Sequence, residues 1–172
     1  MLASAGVNTE KLELIEGDLI VKMPKNRPHV NGVLYLMFWL MDTFGRERVN
    51  AEAPIDVARE DNPLNEPEPD LIVLKRESRT FRTGPPQPAD LDLVVEISDT
   101  SLGFDLDVKA NLYARAGIAD YWALDINGRP LIVHRDPTPA GYRSVVAYGE
   151  SEKVSPLAAP DHELLVAAIF PQ

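Results

Sequence analysis

The fold is decided by two short apolar runs in the middle of the chain, Asp70-Leu-Ile-Val-Leu74 and Asp92-Leu-Val-Val-Glu96-Ile-Ser98. Continuous runs of Leu, Ile and Val of this length predict strands that are buried on both faces of a sheet. Each run carries one carboxylate, Asp70 or Glu96. Burying a carboxylate is costly unless it is paired or binds a metal, so two of them on successive strands indicate a site.

The rest of the chain supplies the partners of these strands. The other predicted elements are a hairpin at 12–21, a helix at 29–44, an edge strand at 48–57, a helix from Leu102 or Phe104 to Ala116, strands at 120–125, 131–135 and 141–148, and a short helix or turn at 164–169. This order predicts an α/β or α+β domain with a mixed sheet.

The first predicted helix, from His29 to about Phe44, is apolar nearly all round. We therefore expect it to be buried centrally. Pro28 suits its first turn, and Gly45 suits its C-cap.

Composition limits the class of protein. The chain has 172 residues and no cysteine, which predicts one domain spanning 1–172, with residues 1–10 flexible, and excludes disulfides and thiolate metal sites. The N-terminus lacks the basic start and apolar core of a signal peptide, and no apolar run approaches the about 20 residues that span a bilayer. We expect a cytoplasmic protein.

The net charge of −10 argues against broad, sequence-independent affinity for nucleic acid, which depends on Lys and Arg. The basic residues are unevenly distributed, however, and one group lies in the loop from Lys75 to Arg82. The sequence therefore leaves open the interpretation that this acidic protein has a basic face.

Two charged residues of the second helix, Asp105 and Lys109, are expected near the two strand carboxylates. At 100° per residue, Leu106, Ala110 and Tyr113 form an apolar stripe, and Asp105 and Lys109 lie on one flank of it. Their i, i+4 spacing predicts that they pair with each other. Carboxylate oxygens suit Mg²⁺ or Mn²⁺, whereas the three histidines lack the spacing of a zinc site.

These residues also carry a family resemblance. The chain resembles the Uma family of predicted bacterial endonucleases, within the PD-(D/E)XK nuclease superfamily, over roughly residues 11–170. The resemblance rests on the order of five short motifs: Leu12-Glu-Leu-Ile-Glu-Gly-Asp-Leu19, Ala53-Pro-Ile-Asp-Val57, Pro69-Asp70 with Asp92-Leu-Val-Val-Glu96-Ile-Ser98, Asp105-Leu-Asp-Val-Lys109, and Tyr113-Ala-Arg-Ala-Gly117-Ile-Ala-Asp-Tyr121-Trp122. His29 at the start of the first helix also matches.

The resemblance implies a restriction-endonuclease-like α/β core, a mixed central sheet of about five strands flanked by helices, with additional β-hairpins. It implies that Asp70, Glu96 and the backbone carbonyl of Ile97 bind Mg²⁺ or Mn²⁺ for the hydrolysis of DNA. Ser98 stands where the superfamily has its lysine, so Lys109 takes that role and Asp105 holds Lys109 or a metal-bound water. The family's basic residue before Asp105 is missing from 101–104.

Other interpretations stay open at this stage. Asp70 also fits a strand start after proline, Glu96 an outward-facing edge position, and Lys109 a solvated helix residue. The chain as a whole fits a binding or regulatory module on the nuclease scaffold, or a hydrolase of small phosphate esters. A homodimer is possible, with the apolar first helix and the tail at 164–170 as its interface.

Overall fold

Ten strands were found in the structure, a computed structural model that describes residues 12–22 and 24–170. In chain order the strands are β1 (Leu12–Ile15), β2 (Asp18–Val21), β3 (Val49–Ala51), β4 (Leu71–Leu74), β5 (Leu91–Ser98), β6 (Asp120–Asp125), β7 (Leu131–Thr138), β8 (Gly141–Tyr148), β9 (Lys153–Val154) and β10 (Leu164–Leu165). The expectation for residues 1–10 lies outside the described residues.

A six-stranded mixed sheet, in the order β3-β4-β5-β6-β7-β8, forms the centre. Only β5 and β6 run parallel; the other neighbouring pairs are antiparallel. The α/β class and the mixed sheet are therefore confirmed, with six strands instead of five. β1 and β2 form the predicted hairpin outside this sheet, through a turn in which Glu16 and Gly17 both have positive φ. β9 and β10 form a second small antiparallel pair.

Helical segments cover both faces of the sheet. The helix α1 (Arg27–Phe44) and a 3₁₀ turn at Val166–Ile169 pack on one face. The other face is covered by α2 (Leu102–Phe104), a π-helical turn at Asp105–Lys109, and α3 (Ala110–Arg115). Because β5 lies between two cores, seven of its eight residues are buried, all except Asp92.

The expectation that α1 is buried all round was wrong. Its sheet-facing residues Leu36 and Leu40 are fully buried, but Leu34, Tyr35 and Phe38 are exposed on the opposite side. The reason is that α1 is an outer layer, so only one side of it meets the sheet. Within the described residues, no helix is long and apolar enough to cross a membrane.

The segment 102–115 is not the uniform α-helix that its sequence predicts. The backbone N–H of Ala110 donates to the carbonyl of Asp105, five residues earlier, which is the π-helical pattern. The wider turn places both Asp105 and Lys109 on the buried side, whereas the ideal α-helix predicted both on a flank.

Candidate active site

Asp70 and Glu96 lie at the same end of the β4–β5 ladder. Leu71 pairs with Val95, so the next position along each strand sets Asp70 opposite Glu96. Side chains alternate along a strand, and Val94 belongs to the core beneath α3. Glu96, two residues further on, therefore points to the same face as α3. The structure brings these two predicted carboxylates together.

The Glu96 carboxylate is buried and partly satisfied. Its Oε1 accepts hydrogen bonds from Lys109 Nζ and from the Tyr113 hydroxyl, both at 2.9 Å. Among the described residues, none donates to its Oε2. Burial, together with the negative charges of Asp105, Asp70 and Glu13, raises the pKa of Glu96 to about 8 against the attraction of Lys109. Burial raises the pKa of Tyr113 as well, so its hydroxyl keeps the proton it donates.

Lys109 lies between two carboxylates. Its Nζ is 2.9 Å from Glu96 Oε1 and 3.0 Å from Glu13 Oε1. Burial lowers the pKa of Lys109, but the surrounding carboxylates outweigh that effect and hold the pKa above its ordinary value. Lys109 is therefore a buried cation, not the solvated helix residue of the alternative interpretation.

Asp105 does not pair directly with Lys109, contrary to the i, i+4 expectation. Its Oδ2 accepts instead from the Ser98 hydroxyl at 2.8 Å and from the Ser101 hydroxyl at 2.6 Å. The π-helical turn explains the difference, since Lys109 is directed to the carboxylates of β1 and β5. Burial raises the pKa of Asp105, with Lys109 and the two serines acting against it.

Asp70 is held by a backbone amide, the His29 imidazole and the Lys25 ammonium. Its Oδ2 accepts from the Ile97 N–H at 2.8 Å and is 3.4 Å from His29 Nε2, and Lys25 Nζ lies 3.1 Å from Oδ1. Burial tends to raise the pKa of Asp70, but His29, Ile97 and Lys25 together lower it to about 2. Lys25 also pairs with Glu52.

The carbonyl of Ile97, the third predicted ligand, faces the same edge as Asp70. The neighbouring Ser98 carbonyl accepts from Ile126 N–H at 3.0 Å and so faces β6. Successive residues of a strand direct their backbone groups to opposite edges, and the Ile97 N–H already meets Asp70. The Ile97 carbonyl therefore lies on the Asp70 side.

These residues line a cleft of about 260 Å³ between the β1–β2 hairpin, the start of α1 and the helical segment at 102–109. Six carboxylates and three lysines line this cleft. These charged residues are Glu13, Glu68, Asp70, Glu96, Asp99, Asp105, Lys22, Lys25 and Lys109. The excess of negative charge favours the binding of a cation.

The donor atoms fit a hard divalent cation. In the part of the chain that the structure describes, no three His, Cys, Asp or Glu side chains are grouped to hold a metal. Mg²⁺ does not need such a group, because it commonly takes one or two carboxylates and keeps several waters. Asp70, Glu96 and the Ile97 carbonyl supply that kind of oxygen set, and the Lys25 ammonium beside Asp70 Oδ1 has to shift to admit a cation.

Three residues in or next to this cleft were not among those that the sequence predicted for the site. Glu13 bonds Lys109, His29 contacts Asp70, and Tyr113 donates to Glu96. The alternation of β1 could have indicated Glu13, since it shares a face with the buried Ile15. Tyr113 lies in the core as predicted, but no local signal assigns a partner to its hydroxyl.

Comparison with known proteins identifies the family of this chain. A family model described as "Uma2: Putative restriction endonuclease" matches residues 6–167. The chain belongs to the Uma2 family. The predicted family resemblance is thus confirmed over nearly the whole chain.

A solved structure shares the Uma2 chain's fold. It is the crystal structure of a putative nuclease from Anabaena variabilis, with a TM-score of 0.70 and 17% sequence identity, over 92% of this chain and 89% of that one. At this identity the likeness is one of fold. No curated protein matches the sequence.

Proposed function

We propose that the chain is a metal-dependent endonuclease that hydrolyses DNA phosphodiester bonds, with Mg²⁺ or Mn²⁺ bound by Asp70, Glu96 and the Ile97 carbonyl. One observation carries the proposal. The buried Glu96 shares an acidic cleft with Asp70 and has one oxygen on Lys109 and Tyr113, which leaves the other without a donor among the described residues. Family membership supports the same class of reaction.

When bound, the metal lowers the pKa of a coordinated water and polarises a phosphate oxygen. The residues of the chain do the positioning. Tyr113 and Lys109 fix the orientation of the Glu96 carboxylate, and the Ile97 N–H fixes that of Asp70. The Lys109 ammonium, which stays protonated between Glu13 and Glu96, orients the attacking water or offsets the charge developing on the phosphate.

The mouth of the cleft offers cations to a phosphate backbone. Lys22 and Lys25 are partly exposed. Lys22 pairs with Glu68, and Lys25 pairs with Asp70 and Glu52. A nucleic acid strand would enter the cleft if these lysines exchanged their carboxylate partners for its phosphates. Asp105 holds Ser98 and Ser101 beside the cleft, a positioning role that needs no direct bond to Lys109.

The test is the nicking or linearisation of supercoiled plasmid with Mg²⁺ or Mn²⁺. We expect cleavage by the wild type and a loss of at least about 100-fold in Glu96→Gln and Asp70→Asn, because each removes a charged ligand. Asp107→Asn is the matched control, since Asp107 lies in the same π-helical turn but is exposed, where it accepts from Asn111. It should cleave like the wild type.

Equal cleavage by wild type and Glu96→Gln would contradict the assignment of the site. No cleavage by the wild type, with no Mn²⁺ binding in calorimetry, would contradict the proposed function and favour a binding module.

A second candidate is hydrolysis of a small phosphate ester. The observation in its favour is the cleft itself, which the β1–β2 hairpin walls on one side and whose volume of about 260 Å³ is closer to a small-ligand pocket than to a duplex groove. Turnover of bis(p-nitrophenyl) phosphate without any plasmid cleavage, lost in Glu96→Gln, would support this candidate over the nuclease.

A further inference from the structure

The outward face of α1 is an exposed apolar surface. Val30, Leu34 and Phe38 are 38%, 37% and 50% exposed, and their i, i+4 and i+8 spacing lines them along one side of the helix, with Tyr35, 44% exposed, next to them. The opposite side is used by the protein itself, where His29, Gly32, Leu36 and Leu40 are buried. A continuous apolar helix face of this kind marks an interaction surface.

Two opposite charges lie at the ends of this face. Arg27 is the first residue of α1 and Asp42 belongs to its last turn, and both are exposed. At 100° per residue the two lie about 60° apart around the axis, on the side of Leu34 and Phe38. Neither forms a salt bridge with any residue in 12–22 or 24–170.

The arrangement is self-complementary about the middle of the helix. Arg27 and Asp42 are equally far from the midpoint between Leu34 and Tyr35, roughly 11 Å on either side at about 1.5 Å per residue. A two-fold axis through that midpoint sets Arg27 of one copy against Asp42 of the other, twice, with the apolar residues between them. A parallel copy would place like charges together.

We propose that α1 is the interface of an antiparallel homodimer, in which Arg27 pairs with the partner's Asp42 and the apolar residues Leu34, Tyr35 and Phe38 of the two copies pack together between these pairs. A two-fold interface needs a self-complementary surface, and this face has one. An aligned crossing of about 20° keeps both ends of the helices in reach. The tail at 164–170 offers no comparable apolar face, because Leu164, Val166, Ile169 and Phe170 are buried in the subunit and Leu165 alone of its large apolar residues is exposed.

The expected dimer is of moderate affinity. One helix face presents less than the roughly 800 Å² per partner of a standard interface, so dissociation in about the micromolar range is expected. Analytical ultracentrifugation over a concentration series measures it, without DNA or metal, so that the result is independent of the proposed nuclease activity.

Charge exchange tests the register. We expect Arg27→Asp and Asp42→Arg each to weaken dimerisation about tenfold, and the double variant to restore it. Neither change should harm the fold, because an acid at the N-terminus and a base at the C-terminus of a helix are both favoured by its dipole. Circular dichroism checks this point. Phe38→Glu should abolish the dimer.

Val145→Glu is the matched control for Phe38→Glu. Val145 is 55% exposed on β8, an edge strand of the sheet and a competing surface for self-association. A dimer that Val145→Glu dissociates and Phe38→Glu does not would overturn the proposal. A monomer at all concentrations, or a double charge variant as weak as the single ones, would overturn it as well.

Discussion

At the scale of a single residue, Glu96 lies where its ionisation is unfavourable. Burial and three neighbouring acids raise its pKa from 4.5 to about 8. A folded-state pKa above that of the unfolded chain means that the folded protein holds a proton that the unfolded chain releases. The free energy of unfolding therefore falls as the pH rises between these two values. A carboxylate that is retained at such a position has a role other than stabilising the fold.

The Glu96→Gln variant removes this effect. In metal-free buffer, we expect its Tm to rise relative to that of the wild type as the pH increases from about 4.5 to 8, and the difference to stay constant above pH 8. The change should be at least a few degrees, since 1 kcal/mol moves Tm by about 2–4 °C in a chain of this length. Calorimetry against pH measures it. Asp107→Asn should show no such trend, and a flat difference for Glu96→Gln would contradict the raised pKa.

At the scale of the element, the start of α1 links the helix to the cleft. The Asn26 side chain accepts a hydrogen bond from the His29 N–H at 3.0 Å, which caps the helix, and the His29 ring contacts Asp70. A change in the cap therefore affects both the helix and the carboxylate.

Asn26→Ala should lower the free energy of unfolding by about 1 kcal/mol, because the capping acceptor is lost. It should also weaken Mn²⁺ binding, because His29 is less well positioned beside Asp70. Urea denaturation and calorimetric titration measure the two effects. Asn26→Ser is the control, since serine caps a helix equally well, and it should keep most of the stability. Full stability of the alanine variant would show that the cap is unimportant.

The elements that sequence predicts are those whose signals are local. Gly17 in the turn between β1 and β2, and the apolar run of β5, identify their elements with no knowledge of neighbours. The π-helical turn has no such signal, because it forms where Lys109 reaches Glu96 and Glu13. The exposed side of α1 escapes prediction for a related reason, since an all-apolar helix does not reveal which side meets the sheet.

At the scale of the whole molecule, the site is formed by segments that lie far apart in the sequence. Asp70, Glu96, Asp105 and Lys109 could be placed together by the predicted strands, the helix spacing and the family resemblance. Glu13 could not, because the hairpin position that brings it to Lys109 depends on the tertiary fold. Which hydroxyl supports Glu96 is likewise a property of the assembled core.

The charge of the whole molecule predicts how it binds DNA. The net charge is −10 and carboxylates outnumber lysines in the cleft, so phosphates should be repelled without a divalent cation. At constant ionic strength, we expect Ca²⁺ to strengthen binding of a short duplex at least about tenfold over EDTA. Fluorescence anisotropy measures it. The gain should be lost in Glu96→Gln and kept in Asp107→Asn, and equal binding in EDTA would contradict a metal-bridged complex.

The interior of the molecule is sensitive to substitution at Gly32. An added Cβ at this position would lie 3.3 Å from Ile97 Cγ2 and 3.4 Å from Leu124 Cδ2, so α1 approaches the sheet directly behind the residue whose carbonyl faces Asp70. A larger side chain there would push against Ile97 without touching any substrate. In a saturation screen scored by activity alone, position 32 would be indistinguishable from a reacting group, and only a parallel measurement of protein abundance would separate the two.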